Sequence, residues 1–387
     1  MSTANPASLG FDAARLARVP EAIAADVEAG RCDGAVVLVA RHGEIVLHEA
    51  IGQADRAAGR PARLDDVYCT MSVGKQFTNT AVLQRVERGD IALTMPVTDV
   101  LPDYGQRGKA RTTIGDLMIH RAGLPLGIPP LPPEILSSVE NLAAFACTLL
   151  PLSAPGTRIT YSAVIAHALL AEIVRRVDGG NRPFRRILAD EVFDPLGMTD
   201  TCLGLRPDLA GRRVPVVVRD RTPGMLEPDG LEAMGAALGE DTEIPAGGFH
   251  STAADVFRFA EAMRRGGELD GARVLGPAVL RLATSVQTGT EPNQLWEYAK
   301  AHRGWPDIPA NLGYGFFVRG EGMFPMPFGT MASPGTFGGM GAGSSCFWVD
   351  PARDLVYVFF SAGLMEECVS TERHQRLSDM VFSALVH

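Results

Sequence analysis

Apolar residues recur at helical spacing early in the chain. Leu16, Val19, Ile23 and Val27 fall every three or four residues within residues 12–29, and Gly30 stops the pattern, so an amphipathic helix is predicted there. Two apolar runs follow, residues 35–40 and 44–49, with Arg41-His42-Gly43 between them. That is the pattern of an antiparallel hairpin with a short loop. Near the other end, residues 345–350 and 355–360 flank Pro351-Ala352-Arg353-Asp354 and predict a second hairpin. Leu377, Val381 and Leu385 then mark one stripe of a closing helix from about Thr371.

The middle of the chain reads differently. Residues 72–88, 164–177, 254–264 and 277–283 have helical patterns, and the segments between them are rich in Pro and Gly. Residues 123–156 hold seven Pro and are expected to wall a cleft, and residues 203–249 read as long and irregular. Such long loops in a compact chain are often functional. With strands at both ends and helices between, the simplest closure joins both hairpins in one antiparallel sheet. The fold class is α+β: residues 1–68 and 300–387 form a sheet domain flanked by helices, and residues 69–299 form a mainly helical domain. A cleft between the two is the expected ligand site.

Composition narrows the function. The 387 residues are 46% hydrophobic and 21% charged, a globular balance. Residues 355–365, the longest apolar stretch, are about half of the ~20 residues a membrane helix needs. The first residues have neither a basic start nor an apolar block, so no secretory signal is expected and a cytoplasmic location is. A net charge of −9 without a basic run argues against nucleic acid or an anionic membrane as partner. The six Cys form neither C-x-x-C nor a Cys/His cluster, so they are expected as buried small hydrophobes, with no metal and no cofactor.

Against 33 Arg there are only three Lys: Lys75, Lys109 and Lys300. One of them completes Ser72-Val73-Gly74-Lys75, the one S-x-x-K in the chain, at the start of a predicted helix. Residues i and i+3 share a helix face, so the Lys75 amine can reach the Ser72 hydroxyl. A hydroxyl needs an adjacent base to act as a nucleophile, and a desolvated lysine can be neutral enough to serve. Other motifs fail. There is no G-x-S-x-G, His48-Glu49-Ala50-Ile51-Gly52 is not H-E-x-x-H, and Gly338-Gly339-Met340-Gly341 precedes a strand rather than linking strand to helix. His120, His167 and His250 read as structural.

Three features in order, the Ser72 motif, Tyr161-Ser162-Ala163, and the Gly-rich run 335–343, resemble the motifs of the serine β-lactamase and penicillin-binding-protein superfamily. The chain is most similar to its class C-like branch of family VIII carboxylesterases, D-aminopeptidases and lovastatin-type acyltransferases. Residues 117–124, 193–200, 247–255 and 347–351 fit that branch, and the resemblance covers about residues 10 to 385. It implies a β-lactamase/transpeptidase-like fold with Ser72 as the acylated nucleophile, Lys75 as its proton acceptor and Tyr161 as proton shuttle, with Lys75 lowering the Tyr161 pKa. It also implies an oxyanion hole from the backbone amides of Ser72 and Ala342, and substrate contacts along Gly339, Met340 and Gly341.

Two positions depart from the family pattern. Gly339 stands where the family has Lys, His or Trp, and Ala163 replaces the Asn of Y-x-N. Both losses favour a small ester or thioester over a β-lactam. The expected activity is therefore a serine esterase or acyltransferase. The alternatives are an amide-directed hydrolase (D-aminopeptidase or β-lactamase) on the same machinery, or a silent binding protein that kept the fold. Oligomeric state is not legible in the sequence.

Overall fold

In the computed structural model, which describes residues 3–127 and 129–386, both hairpins enter one sheet. Met1 and Ser2, the first residues of the segment read for a leader, lie outside the described residues. Helix α1 (Ala13–Glu28) starts at Asp12, whose carboxylate caps it by accepting from the Arg15 amide at 3.0 Å. Strands β1 (Gly34–Arg41) and β2 (Glu44–Asp55) turn at His42 and Gly43. Both turn residues have positive φ, 55° and 86°, the twist that a tight hairpin needs. Strand β3 (Arg60–Pro61) adds an edge. The C-terminal part supplies β4 (Phe317–Val318), β5 (Phe337–Gly341), β6 (Ser345–Asp350) and β7 (Leu355–Ala362). The order is β3-β2-β1-β7-β6-β5-β4. The first and last long strands are thus neighbours, with Gly34 opposite Ala362 and Arg41 opposite Leu355.

β1 and β7 are apolar at nearly every position because both faces of the sheet are covered. On one face Val36, Leu38, Phe347, Val358 and Phe360 share a core with three helices of the middle region: α2 (Gly74–Arg88), α3 (Ile165–Val177) and α4 (Ala253–Arg264). On the other, Val37, Val39, Trp348, Tyr357 and Phe359 pack with Leu16, Val19 and Ile23 of α1 and with Leu377 and Val381 of α5 (Glu367–Ser383).

Some boundaries differ from the sequence reading. α5 begins four residues before Thr371, because the Glu366 carboxylate accepts from the Cys368 and Val369 amides at 3.1 and 3.2 Å. The segments 123–156 and 203–249 are less irregular than expected and carry helices Val139–Thr148 and Pro228–Ala237. Among the described residues no disulfide forms; five of the six Cys are buried and Cys147 is half-buried. No helix among them is long and apolar enough to cross a membrane.

Candidate active site

Ser72 lies in a single 3-10 turn, Met71–Val73, that runs into α2. The turn is strained and held. Met71 has φ of +50°, unusual for a residue with a side chain. Thr70 before it donates its amide to Phe249 O at 2.9 Å, and its carbonyl accepts from Ser345 Oγ of β6 at 2.8 Å. Small residues permit this crowding: a Cβ at Gly341 would lie 2.7 Å from both Met71 Cβ and Thr70 O, and a Cβ at Gly74 would overlap the Phe249 ring. Ser72 is therefore fixed between α2, β5 and the strand Phe249–Ser251, and it stays partly exposed.

Lys75 is on the first turn of α2 and is buried. Its Nζ lies 2.9 Å from Ser72 Oγ, 2.8 Å from Ala163 O and 3.1 Å from Ala246 O. These three neutral oxygens match the three protons of an ammonium, so the side chain has one geometry. None carries a charge to hold the proton on. Burial alone drives the pKa from 10.5 down to about 7. At neutral pH a large fraction of the amine is free to accept a proton from Ser72.

The structure brings Tyr161 to the same place. Its ring lies 5.1 Å from Lys75 Nζ and its phenol faces Ser72. The expected lowering of its pKa does not occur. Burial pushes the phenol up to about 12, only partly opposed by the interaction with Ser72. Among the described residues no other group opposes the burial of the phenol. Tyr161 is thus a protonated phenol, suited to giving a proton to a leaving group rather than to taking one first.

Two histidines that read as structural also line this region. The His120 ring centroid is 4.5 Å from that of Tyr161 and 5.7 Å from that of His167. Burial and the Lys75 charge take His120 down to about 3, and burial, with Lys75 and His120 beside it, holds His167 well below its ordinary range. Both are neutral at any ordinary pH. His250 lies elsewhere, its Nδ1 2.8 Å from Gly204 O.

The Gly-rich run forms β5 and the turn after it. Among the described residues, the amides of Ser72 and Ala342 donate to no backbone carbonyl outside their own element. A Cβ at Gly339 would run into Gln76 Oε1 and lie 3.1 Å from Phe347. Gln76, the residue after Lys75, thus fills the space where a third-motif side chain would begin; sequence reading gave no sign of this. The Met340 side chain, on the alternate face of β5, packs against the core under α1 and α5. What position 340 can offer a substrate is its backbone. No group of His, Cys, Asp and Glu among the described residues could hold a metal ion.

A model of the Beta-lactamase family matches residues 19–378. Esterase EstB of Burkholderia gladioli is 34% identical over an alignment of 296 positions that covers 67% of this chain and 73% of EstB. The esterase/beta-lactamase LipL of Mycobacterium tuberculosis is 27% identical over an alignment of 391 positions, gaps included, that covers 92% of this chain and 83% of LipL. The solved structure of a penicillin-binding protein homolog from Caulobacter crescentus superposes with a TM-score of 0.79 at 26% identity, covering 97% of this chain and 99% of that one. The antiparallel sheet with its helical middle is the β-lactamase/penicillin-binding-protein fold, and the chain belongs to the Beta-lactamase family as a serine hydrolase of that superfamily.

Proposed function

We propose that the protein cleaves small esters or thioesters through an acyl-enzyme on Ser72. One observation carries this reading: Lys75 Nζ, buried among neutral acceptors and 2.9 Å from Ser72 Oγ, has its pKa near 7. Nζ takes the hydroxyl proton as Oγ attacks the carbonyl carbon. The oxyanion that forms meets the amides of Ser72 and Ala342, and a donor of this kind contributes about 3 kcal/mol to the transition state. As the tetrahedral intermediate collapses, the Tyr161 phenol gives its proton to the departing alkoxide or thiolate. Lys75 returns a proton to Tyr161, and water, activated by the same groups, then releases the acid. The names of EstB and LipL support ester cleavage. The absence of an Asn amide at Ala163 and of a side chain at Gly339 favours an ester over a β-lactam.

The test pairs a chromogenic short-chain ester with a chromogenic cephalosporin, and follows a serine-directed phosphonate by intact mass. Ester turnover far above cephalosporin turnover, with the adduct on Ser72, is expected. Dominant cephalosporin turnover would move the assignment to amide-type substrates. A folded protein that takes no adduct would end the hydrolytic reading.

A further inference from the structure

Tyr161 lies on neither helix nor strand, but on the irregular stretch between Ile159 and α3. One residue grips that stretch on both sides of the phenol. His120 Nδ1 accepts from the Ser162 amide at 3.1 Å, and the His120 carbonyl accepts from the Thr160 amide at 2.9 Å. Its ring lies tilted by 40° against the Tyr161 ring. The next residue, Ala163, supplies the carbonyl that holds Lys75. A single buried histidine, through its ring on one side and its carbonyl on the other, thus ties down the peptide that carries both the phenol and an acceptor of the base.

Two further observations set this histidine apart. His120 has φ of +59°, a conformation costly for a residue with a Cβ, and such strain collects at functional sites. On its far side it opens, with Lys75, Gln76, Asn79 and His167, on a cavity of about 10 Å³, room for about one water. Both His167 ring nitrogens, Gln76 Oε1 and Asn79 Oδ1 lack a hydrogen-bond partner among the described residues. An apolar filling would be cheaper than buried polar groups.

We propose that His120 is a positioning residue for acyl transfer: its neutral imidazole, protonated on Nε2 and accepting on Nδ1, holds residues 160–163 so that the Tyr161 phenol and the Ala163 carbonyl meet Ser72 and Lys75. This rests on the reading of Tyr161 as proton donor. A histidinium could not accept from the Ser162 amide, and the neighbouring Lys75 disfavours that form.

The test compares His120→Asn, His120→Gly and His120→Ala. Asn adopts positive φ readily and its side-chain oxygen can accept from Ser162; Gly relieves the backbone but offers no acceptor. Ester kcat should fall about 10- to 100-fold in the Gly and Ala variants, as for a displaced catalytic group, with KM nearly unchanged. The Asn variant should recover most of the rate, with a Tm close to that of the Gly variant. Full kcat in His120→Gly, or equal losses in Asn and Gly, would overturn the proposal. In a Tyr161→Phe background, His120→Gly should cost clearly less than in the wild type, since only the part that acts through Ala163 and Lys75 remains, whereas fully additive losses would count against it. Should Tyr161→Phe turn over like wild type, the failure is that of the proton-donor assignment instead. If the Gly variant does not fold, imidazole 15N spectra of the intact protein decide. The Nε2–H tautomer should persist from about pH 5 to pH 9, and a proton on Nδ1 or a titration in that range would refute the role.

Discussion

Helix α2 buries two cations, and the contrast between them separates chemistry from architecture. Arg85, near its C-terminal end, is 1% exposed and lies between Asp178 at 3.1 Å and Glu191 at 2.5 Å. Arg88 and Arg182 join the same carboxylates. Lys75, ten residues earlier and equally buried, has only neutral oxygens. A buried charge is tolerable when paired. Left unpaired it gives up its proton. The same helix therefore holds one cation that is permanently charged and structural, and one poised between two states at neutral pH.

Breaking the poised end should have the largest effect. Lys75→Arg keeps a cation but cannot act as a base, so acylation should fall by about 10²–10⁴-fold, the usual worth of a positioned proton acceptor. Burst amplitudes with a chromogenic ester measure this. At the structural end, Arg85→Met leaves Asp178 and Glu191 short of a partner. Unfolding free energy should drop by about 3 kcal/mol, read by urea titration, while kcat per folded molecule stays within a few-fold.

A third substitution makes the two ends alike. Gln76→Glu places a carboxylate beside Lys75 and should raise its pKa. The acylation rate of the wild type should climb with pH through about 7, because the free amine is the active form. In the variant that limb should move up by about one unit or more, leaving roughly a fifth of the rate or less at neutral pH. A limb that stays in place would mean that another group controls it. The lysine also couples to stability. Its depressed pKa penalises the folded state fully below about pH 7, and the penalty disappears as pH rises through 10.5. The smallest effect is expected for Gly339→Ala. The added methyl meets the far end of the Gln76 side chain, which can swing aside, so a loss within about 1 kcal/mol and a few-fold change in KM should follow.

The parts of the molecule that were legible in the sequence are those specified locally. Continuous apolar runs and turn residues marked β1, β2, β6 and β7, and the rare Lys three residues after a Ser marked the pair that meets at 2.9 Å. Helices Val139–Thr148 and Pro228–Ala237 were hidden in segments dense in Pro and Gly. Pro228 opens its helix at the first position, where the missing N–H costs nothing. The environment of the site was hidden for another reason. His120 meets Ser162 across 42 residues, and Gln76 meets Gly339 only because β5 lies over α2; neither contact leaves a periodic trace. The direction of the Tyr161 shift was missed as well, since how deeply a phenol is buried depends on all its neighbours at once.

The pairing of β1 with β7 has a consequence for biosynthesis. Residue 34 leaves the ribosome long before residue 362, its partner. During translation the N-terminal hairpin must wait with one edge open, and exposed edges invite association with other chains. The frame that holds the Ser72 turn, to which β5 and β6 contribute Gly341 and Ser345, can form only after nearly the whole polypeptide has emerged. A nascent or truncated chain that ends before β5 would therefore contain the complete Ser-Lys pair without the strands that fix it.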